Sequence, residues 1–161
     1  MRLLSIAGLL VVATLLLSQS GVREQLGPQR DGSVLLSTGW KIRPAGKQVP
    51  VGTFPMSMAQ SKEGRHLLVL NGGYNPPSIS VLDAATATEL GRTPVADGWL
   101  GLTFSPDGRK VYVGGGAEAS VFEYSFADGK LAPSRVFTVV AKAERKWQDF
   151  IGDVAVSPDG R

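Results

Sequence analysis

Along most of this chain, short runs of alternating apolar and polar residues are separated by clusters of Gly, Pro, Asp and Asn. Period-two alternation of this kind, rich in β-branched and aromatic residues, predicts half-buried β-strands. The clearest stretch is Leu100-Gly-Leu-Thr-Phe-Ser-Pro-Asp-Gly-Arg-Lys-Val-Tyr-Val-Gly114, in which two such runs flank Pro106-Asp107-Gly108. Proline presets φ at the first corner of a type I turn, aspartate bonds the backbone beyond it, and glycine accepts the left-handed conformation that returns the chain. The stretch therefore predicts a hairpin. It recurs upstream at Met56 to Leu70, with Lys62-Glu63-Gly64 in the turn, and begins again at Gly152 to Arg161.

The equivalent serines are Ser61, Ser105 and Ser157, so the copies are 44 and 52 residues apart. Repetition at about 40 to 50 residues, with four strand-like runs in each repeat, predicts the four-stranded blades of a β-propeller. The expected fold is all-β, an incomplete β-propeller of about two full blades plus parts of others. The first full blade covers 55–96, with strands at 56–61, 66–71, 78–83 and 89–95. The second covers 99–140, with strands at 100–105, 110–114, 120–126 and 131–140, and the next opens at 151–161. Small residues at matching places on the first strands (Ser57 and Ala59, Gly101 and Thr103, Asp153 and Ala155) suit a crowded hub. Residues 33–52 read as two blade-completing strands, one over 34–42 and one over 47–51, and 21–32 as a polar linker. A closed ring takes about four to eight blades. The chain is accordingly expected to be the N-terminal part of a larger protein, and without residues 1–20 to aggregate through its open sheets.

The start of the chain changes the compartment. Met1-Arg2 precedes an apolar run, 3–17, broken only by Ser5, Gly8 and Thr14, and small residues follow at Ser18 and Ser20. That order predicts a secretory signal peptide over 1–20, and a periplasmic or secreted protein. The alternative, an uncleaved anchor, would use about twenty apolar residues to span a bilayer. The absence of cysteine removes disulfides, thiolate metal sites and lipoprotein attachment. A formal charge of +3, without a basic run or stripe, gives no footprint for nucleic acid, and contact with a membrane is expected only through the leader during export.

Strand order places the loops after the second strands and the blade-to-blade connections at one end of the sheets. This gathers 71–75, 97–99, 115–119 and 141–150, and loops at the mouth of a rigid scaffold are where binding resides. Tyr74, Asn75, Trp99, Lys146, Trp147, Gln148 and Asp149 are the candidate ligand contacts. For Trp99 and Trp147 the favoured reading is packing between blades, since both immediately precede first strands, where an indole can cover a sheet edge. The charged insertion 141–150 reads first as a solvated loop, with room for a short helical turn. His66, the lone histidine, has no second His or carboxylate pair that would make it a metal ligand or acid-base group. The Gly-rich stretches 71–73 and 114–116 lack the Lys-Ser/Thr and the following helix of a phosphate loop, and no Gly-x-Ser-x-Gly occurs. No catalytic residue, metal site or cofactor is expected.

The run Ser105-Pro-Asp-Gly-Arg-Lys-Val-Tyr-Val-Gly-Gly115, followed by Ser120-Val-Phe-Glu-Tyr124, resembles the YVTN-type bacterial β-propeller repeat. So does Leu68-Val-Leu-Asn71 with Ser78-Ile-Ser-Val-Leu-Asp83. Tyr112-Val-Gly-Gly115 departs from the naming tetrapeptide at its last two positions. This resemblance covers 33–161. Residues 37–46, Ser-Thr-Gly-Trp-Lys-Ile-Arg-Pro-Ala-Gly, further resemble the opening of exported bacterial proteins in which a propeller precedes an alkaline-phosphatase-like phosphoesterase domain. The resemblance implies an exported scaffold that binds a small molecule, a protein or a downstream domain of its own chain. The alternative it implies is part of a hydrolase, either a propeller lactonase or a phosphoesterase fusion. A lactonase would need acids or histidines converging on the channel, and the acids near that end are Asp97, Asp149 and Asp153.

Overall fold

The structure, a computed structural model, describes residues 24–160, so the predicted signal peptide lies outside the described residues. The chain divides into two compact units, one ending at Lys47 and the other beginning at Gln48. The described residues form eleven strands in three antiparallel sheets, with no helix. The all-β expectation holds.

In the smaller unit, β1 (Gly27–Pro28), β2 (Val34–Leu35) and β3 (Lys41–Ile42) make a sheet in sequence order. The single strand expected over 34–42 is instead a hairpin, with Val34 opposite Ile42. Its cause is local: Leu36 N donates to Trp40 O and Gly39 N to Leu36 O, both at 2.9 Å, around Gly39 at φ +83°. Ser37-Thr38-Gly39 is a turn signal embedded in an apolar run, and the turn prevails. The stretch expected to be linker contributes β1, which pairs Gly27 with Leu35. Residues 47–51, expected as a second strand, form none; Pro50 brings no N–H to a ladder.

The larger unit holds two four-stranded sheets. The first is β4 (Pro55–Gln60), β5 (His66–Asn71), β6 (Ser78–Asp83) and β7 (Thr88–Pro94). The second is β8 (Leu102–Phe104), β9 (Lys110–Gly114), β10 (Ser120–Ala127) and β11 (Lys130–Thr138). Each pairs its strands in chain order, so every connection is a short hairpin. The sheets meet in step, with β4 beside β8 and β7 beside β11. Between them lies the core: Leu68, Leu70, Ile79 and Val81 from the first sheet, and Leu102, Val111, Val113, Tyr124 and Phe126 from the second. Each fully buried aliphatic side chain here contributes about 1.5–3 kcal/mol. Tyr124 OH donates to Pro94 O at 3.2 Å, tying the third strand of one sheet to the end of the other.

The three copies of the turn are superposable in their bonding. Gly64 N donates to Ser61 O at 2.8 Å, Gly108 N to Ser105 O at 2.9 Å, and Gly160 N to Ser157 O at 2.8 Å. The glycines have φ of 75°, 74° and 75°. Replacing Pro-Asp by Lys62-Glu63 therefore leaves the geometry intact. In the second copy the Ser105 hydroxyl donates to Asp107 Oδ1 at 2.6 Å and accepts from Lys110 N at 2.9 Å. That hydroxyl, with the Arg109 amide, holds the Asp107 carboxyl below its ordinary range. The turns neighbour one another along one edge of the unit, where Lys62 Nζ donates to Pro106 O at 3.2 Å.

Candidate binding face

At the opposite end from the turns, the loops are latched to one another through Asp97. Its Oδ1 accepts from Gly98 N at 2.8 Å and its Oδ2 from Ala117 N at 2.7 Å. Gly116, at φ +48°, lies so close that a Cβ there would fall 2.5 Å from Asp97 Oδ2. Trp99 N donates to Gly114 O at 3.3 Å. The loop after β5 reaches the same cluster, since a Cβ on Gly72 would meet Gly98 O at 3.0 Å. From the other side Arg145 Nη1 donates to Ala117 O at 3.3 Å and to Glu118 Oε2 at 3.1 Å. The insertion 141–150 thus lies down on the loop 115–119.

That insertion makes two turns and no helical turn. Glu144 N donates to Ala141 O at 2.9 Å and Asp149 N to Lys146 O at 3.0 Å. The Asp149 carboxylate takes the Lys146 N–H at 2.7 Å, offering the backbone the local alternative to helix that aspartate favours. Asp149 and Asn75, whose N–H donates to Thr53 Oγ1 at 3.0 Å, serve here to shape loops. Trp99 is 40% exposed and turns its ring edge-on to Phe150, with centroids 5.6 Å apart at 82°. Trp147 is 94% exposed. Lys146 and Gln148 are exposed on either side of it. Tyr74 is fully exposed on the loop after β5. The geometry brings the loops carrying Trp99 and 146–149 into direct contact through 115–118, with Tyr74 and Asn75 at the margin. Asp97 as a latch, and Arg145 as its counterpart, had no signal in the sequence beyond being charged residues in predicted loops.

The acids near this face are occupied. Asp97 and Asp149 close loops, Asp153 Oδ1 accepts from Val154 N at 2.8 Å, and Glu118 pairs with Arg145. Among the described residues no three His, Cys, Asp or Glu side chains assemble into a potential metal site. His66 is buried at the other end, edge-on to Phe126 at 5.5 Å. A shallow cleft of about 310 Å³ opens near the margin of the loop face, lined by Thr53, Asn75, Pro76, Ser78 and Arg92. Its guanidinium is committed, since Arg92 donates to both Glu89 oxygens at 2.8 and 2.9 Å.

One buried charge sits within the second sheet. Glu123 is 5% exposed and occupies the β10 position that corresponds to Val81 in β6. Lys110 Nζ donates to its Oε2 at 3.1 Å and Ser134 Oγ to its Oε1 at 2.9 Å. Burial pushes this carboxyl up, but the bonds from Lys110 and Ser134 outweigh it and hold the carboxyl below its ordinary value.

No protein-family profile matches the chain. No curated protein matches it. Among solved structures, it is similar to a Bacteroides uniformis protein provisionally named 6-phosphogluconolactonase, at 17% identity and a TM-score of 0.54 over 80% of this chain and 40% of that one. A functionally unknown protein from Desulfotomaculum acetoxidans matches at 11% identity and a TM-score of 0.35, over 78% and 51% of the two chains. The chain therefore spans less than two thirds of either structure. The first likeness is one of fold, to a propeller-like, all-β architecture.

Proposed function

We propose that this chain is an exported β-propeller segment whose loop face binds a ligand or partner, without catalysing a reaction. The observation that carries this reading is the latched cluster of 97–99, 115–119 and 141–150, which holds loops rigidly while leaving the Trp147 ring in solvent beside Lys146 and Gln148. An exposed aromatic on a tethered loop, flanked by hydrogen-bonding groups, supplies contact area at low entropic cost. The partner is a small polar molecule, a protein surface or a further domain of the same chain. Two full repeats and the opening of a third, each with the same turn, support the blade assignment. The apolar leader supports export to the periplasm or beyond.

A second reading, part of a hydrolase, is favoured by the name of the Bacteroides uniformis neighbour. Weighing against it, Asp97 and Asp149 are engaged in closing loops, Asp153 accepts from the adjacent Val154 amide, and fold likeness alone does not carry an activity. One experiment separates the two. The chain is titrated with δ-gluconolactone, 6-phosphogluconolactone, neutral oligosaccharides and short peptides, following tryptophan emission and, for the lactones, acid release. Saturable quenching that Trp147→Ala removes, without acid release above background, is expected. Acid release that tracks protein concentration would establish the hydrolase reading. The absence of both from every probe overturns the proposed loop-face site.

A further inference from the structure

The cleft of about 310 Å³ at the margin of the loop face is built wholly from the first repeat, between Gly52 and Pro94. Three backbone donors hold its two rims together. Gly72 N donates to Phe54 O at 3.1 Å, Gly73 N to Thr53 O at 3.0 Å, and Asn75 N to Thr53 Oγ1 at 3.0 Å. Within this arrangement Phe54 takes φ +53°, a region that a bulky residue seldom enters. Such outliers persist where surrounding bonds over-determine them, and they cluster at ligand sites. Thr53 stands 44 residues before Asp97, one repeat earlier, and makes the equivalent latch. Asp97 uses one carboxylate oxygen on Gly98 N and the other on Ala117 N. In the first repeat the latch is a hydroxyl, which accepts from Asn75 N and keeps its own proton to donate.

The remaining lining sorts into two kinds of surface. Pro76, Pro77 and Pro94 present C–H groups and no backbone donor. Ser78, 7% exposed, accepts from Asn71 Nδ2 at 3.5 Å and likewise keeps its proton, while the Asn75 side-chain amide brings two donors and an acceptor. Charge is cancelled at the wall, since the Arg92 guanidinium is held by both Glu89 oxygens, and an anion would have to displace that carboxylate to reach it. A purely apolar occupant would leave the Thr53 and Ser78 hydroxyls unpaired, at a desolvation cost. A pyranose ring meets both kinds of surface, because its faces carry C–H groups and its rim carries hydroxyls that donate and accept. The volume is at the low end for ligand pockets and suits about one such ring. We propose that this cleft binds a single neutral pyranose, with a C–H face against the prolines and hydroxyls on Thr53, Asn75 and Ser78.

The site is separate from the Trp147 loop, and no tryptophan lines it. It is tested on the full chain by amide exchange over 72–75, with glucose, mannose, galactose and N-acetylglucosamine as probes and gluconate and glycerol as controls. At about 50 mM sugar and a Kd of about 5 mM, mass action slows exchange by about tenfold. At least one of the four sugars is expected to do so, with both controls inert and 115–119 unaffected. Asn75→Ala should cut the protection to about twofold or less, while unchanged exchange in β5 and β6 reports that the variant is folded. Trp147→Ala should leave the protection intact, so this site and the Trp147 loop fail separately. Protection by none of the four sugars overturns the inference, as does equal protection by gluconate or glycerol. Protection that survives Asn75→Ala unchanged, or that disappears in Trp147→Ala, overturns it too, because it puts the sugar elsewhere.

Discussion

Asp97 tests whether the loop face is held by one clasp. Asp97→Ala removes the acceptors for Gly98 N and Ala117 N, two bonds of 2.8 and 2.7 Å to a carboxylate. A buried hydrogen bond to a charged group contributes about 1.5–3 kcal/mol. Asp97 is only half-buried, so the pair together should supply about 2 kcal/mol after discounting for solvent. That corresponds to about a thirty-fold rise in the opening of 115–119 at about 1.4 kcal/mol per decade. Asparagine is no substitute, since whichever way its amide turns, an NH₂ faces a peptide N–H, and Asp97→Asn should behave nearly as alanine does. Gly116→Ala should open the same loop from the other side, because its Cβ would fall 2.5 Å from Asp97 Oδ2 at a residue with φ +48°. The assay is hydrogen exchange over 97–100 and 115–119, with β5 and β6 as internal reference. Unchanged exchange at 115–119 in Asp97→Ala would refute the clasp. So would an equal acceleration in β5, which would make the effect global.

Two further perturbations address the scaffold. Leu68→Ala removes a wholly buried side chain from the core between the sheets and should cost about 2–5 kcal/mol, read as a lower urea midpoint at unchanged slope; a loss under about 1 kcal/mol would mean that the sheets do not share this core. Acid should destabilise the unit: Glu123, Asp83 and Asp107 have carboxyls held below their ordinary values, so their contribution is complete above the unfolded pKa, near 4.5 for Glu and 3.8 for Asp, and is lost as pH falls through the lower folded values. Thermal midpoints should therefore drop below about pH 4, and Glu123→Gln should flatten part of that slope, whereas a midpoint insensitive to pH between 6 and about 3 would contradict the assigned bonds.

The repeated hairpins were legible because their chemistry is local. Three of the eight strands of the paired sheets, β5, β6 and β9, run over the residues that alternation and turn residues predict, and the others differ by a few residues at their ends. The face shared by the loops followed from strand order alone. What failed lay in stretches where two local signals compete. Val34 to Ile42 has the apolar content of one strand, but Ser37-Thr38-Gly39 within it carries a turn. Residues 141–150 read first as a solvated loop and are one, but the short helical turn that also had room there does not form, because Asp149 takes the Lys146 amide three residues before it. Within the site, the exposed aromatics could be nominated from sequence, whereas the latches could not. Nothing in the spacing of Asp97 and Ala117, or of Arg145 and Glu118, distinguishes them from other charged loop residues before the chain is folded.

The two ends of the sheets obey different constraints, and the contrast bears on function. At the turn end, Ser61, Ser105 and Ser157 with Gly64, Gly108 and Gly160 repeat because one backbone geometry requires them. At the loop end the corresponding connections share neither length nor sequence, and each is held by different partners: 71–77 by Thr53 and Phe54, and 115–119 by Asp97 and Arg145. Lengthening a surface connection costs little in closure entropy, so 141–150 could have remained a loose bridge to the next repeat. Instead its Arg145 is drawn down onto 115–119 by bonds to Ala117 O at 3.3 Å and Glu118 Oε2 at 3.1 Å. The tethering of this connection to its neighbour is therefore the strongest physical reason to test the proposed binding at this end of the molecule.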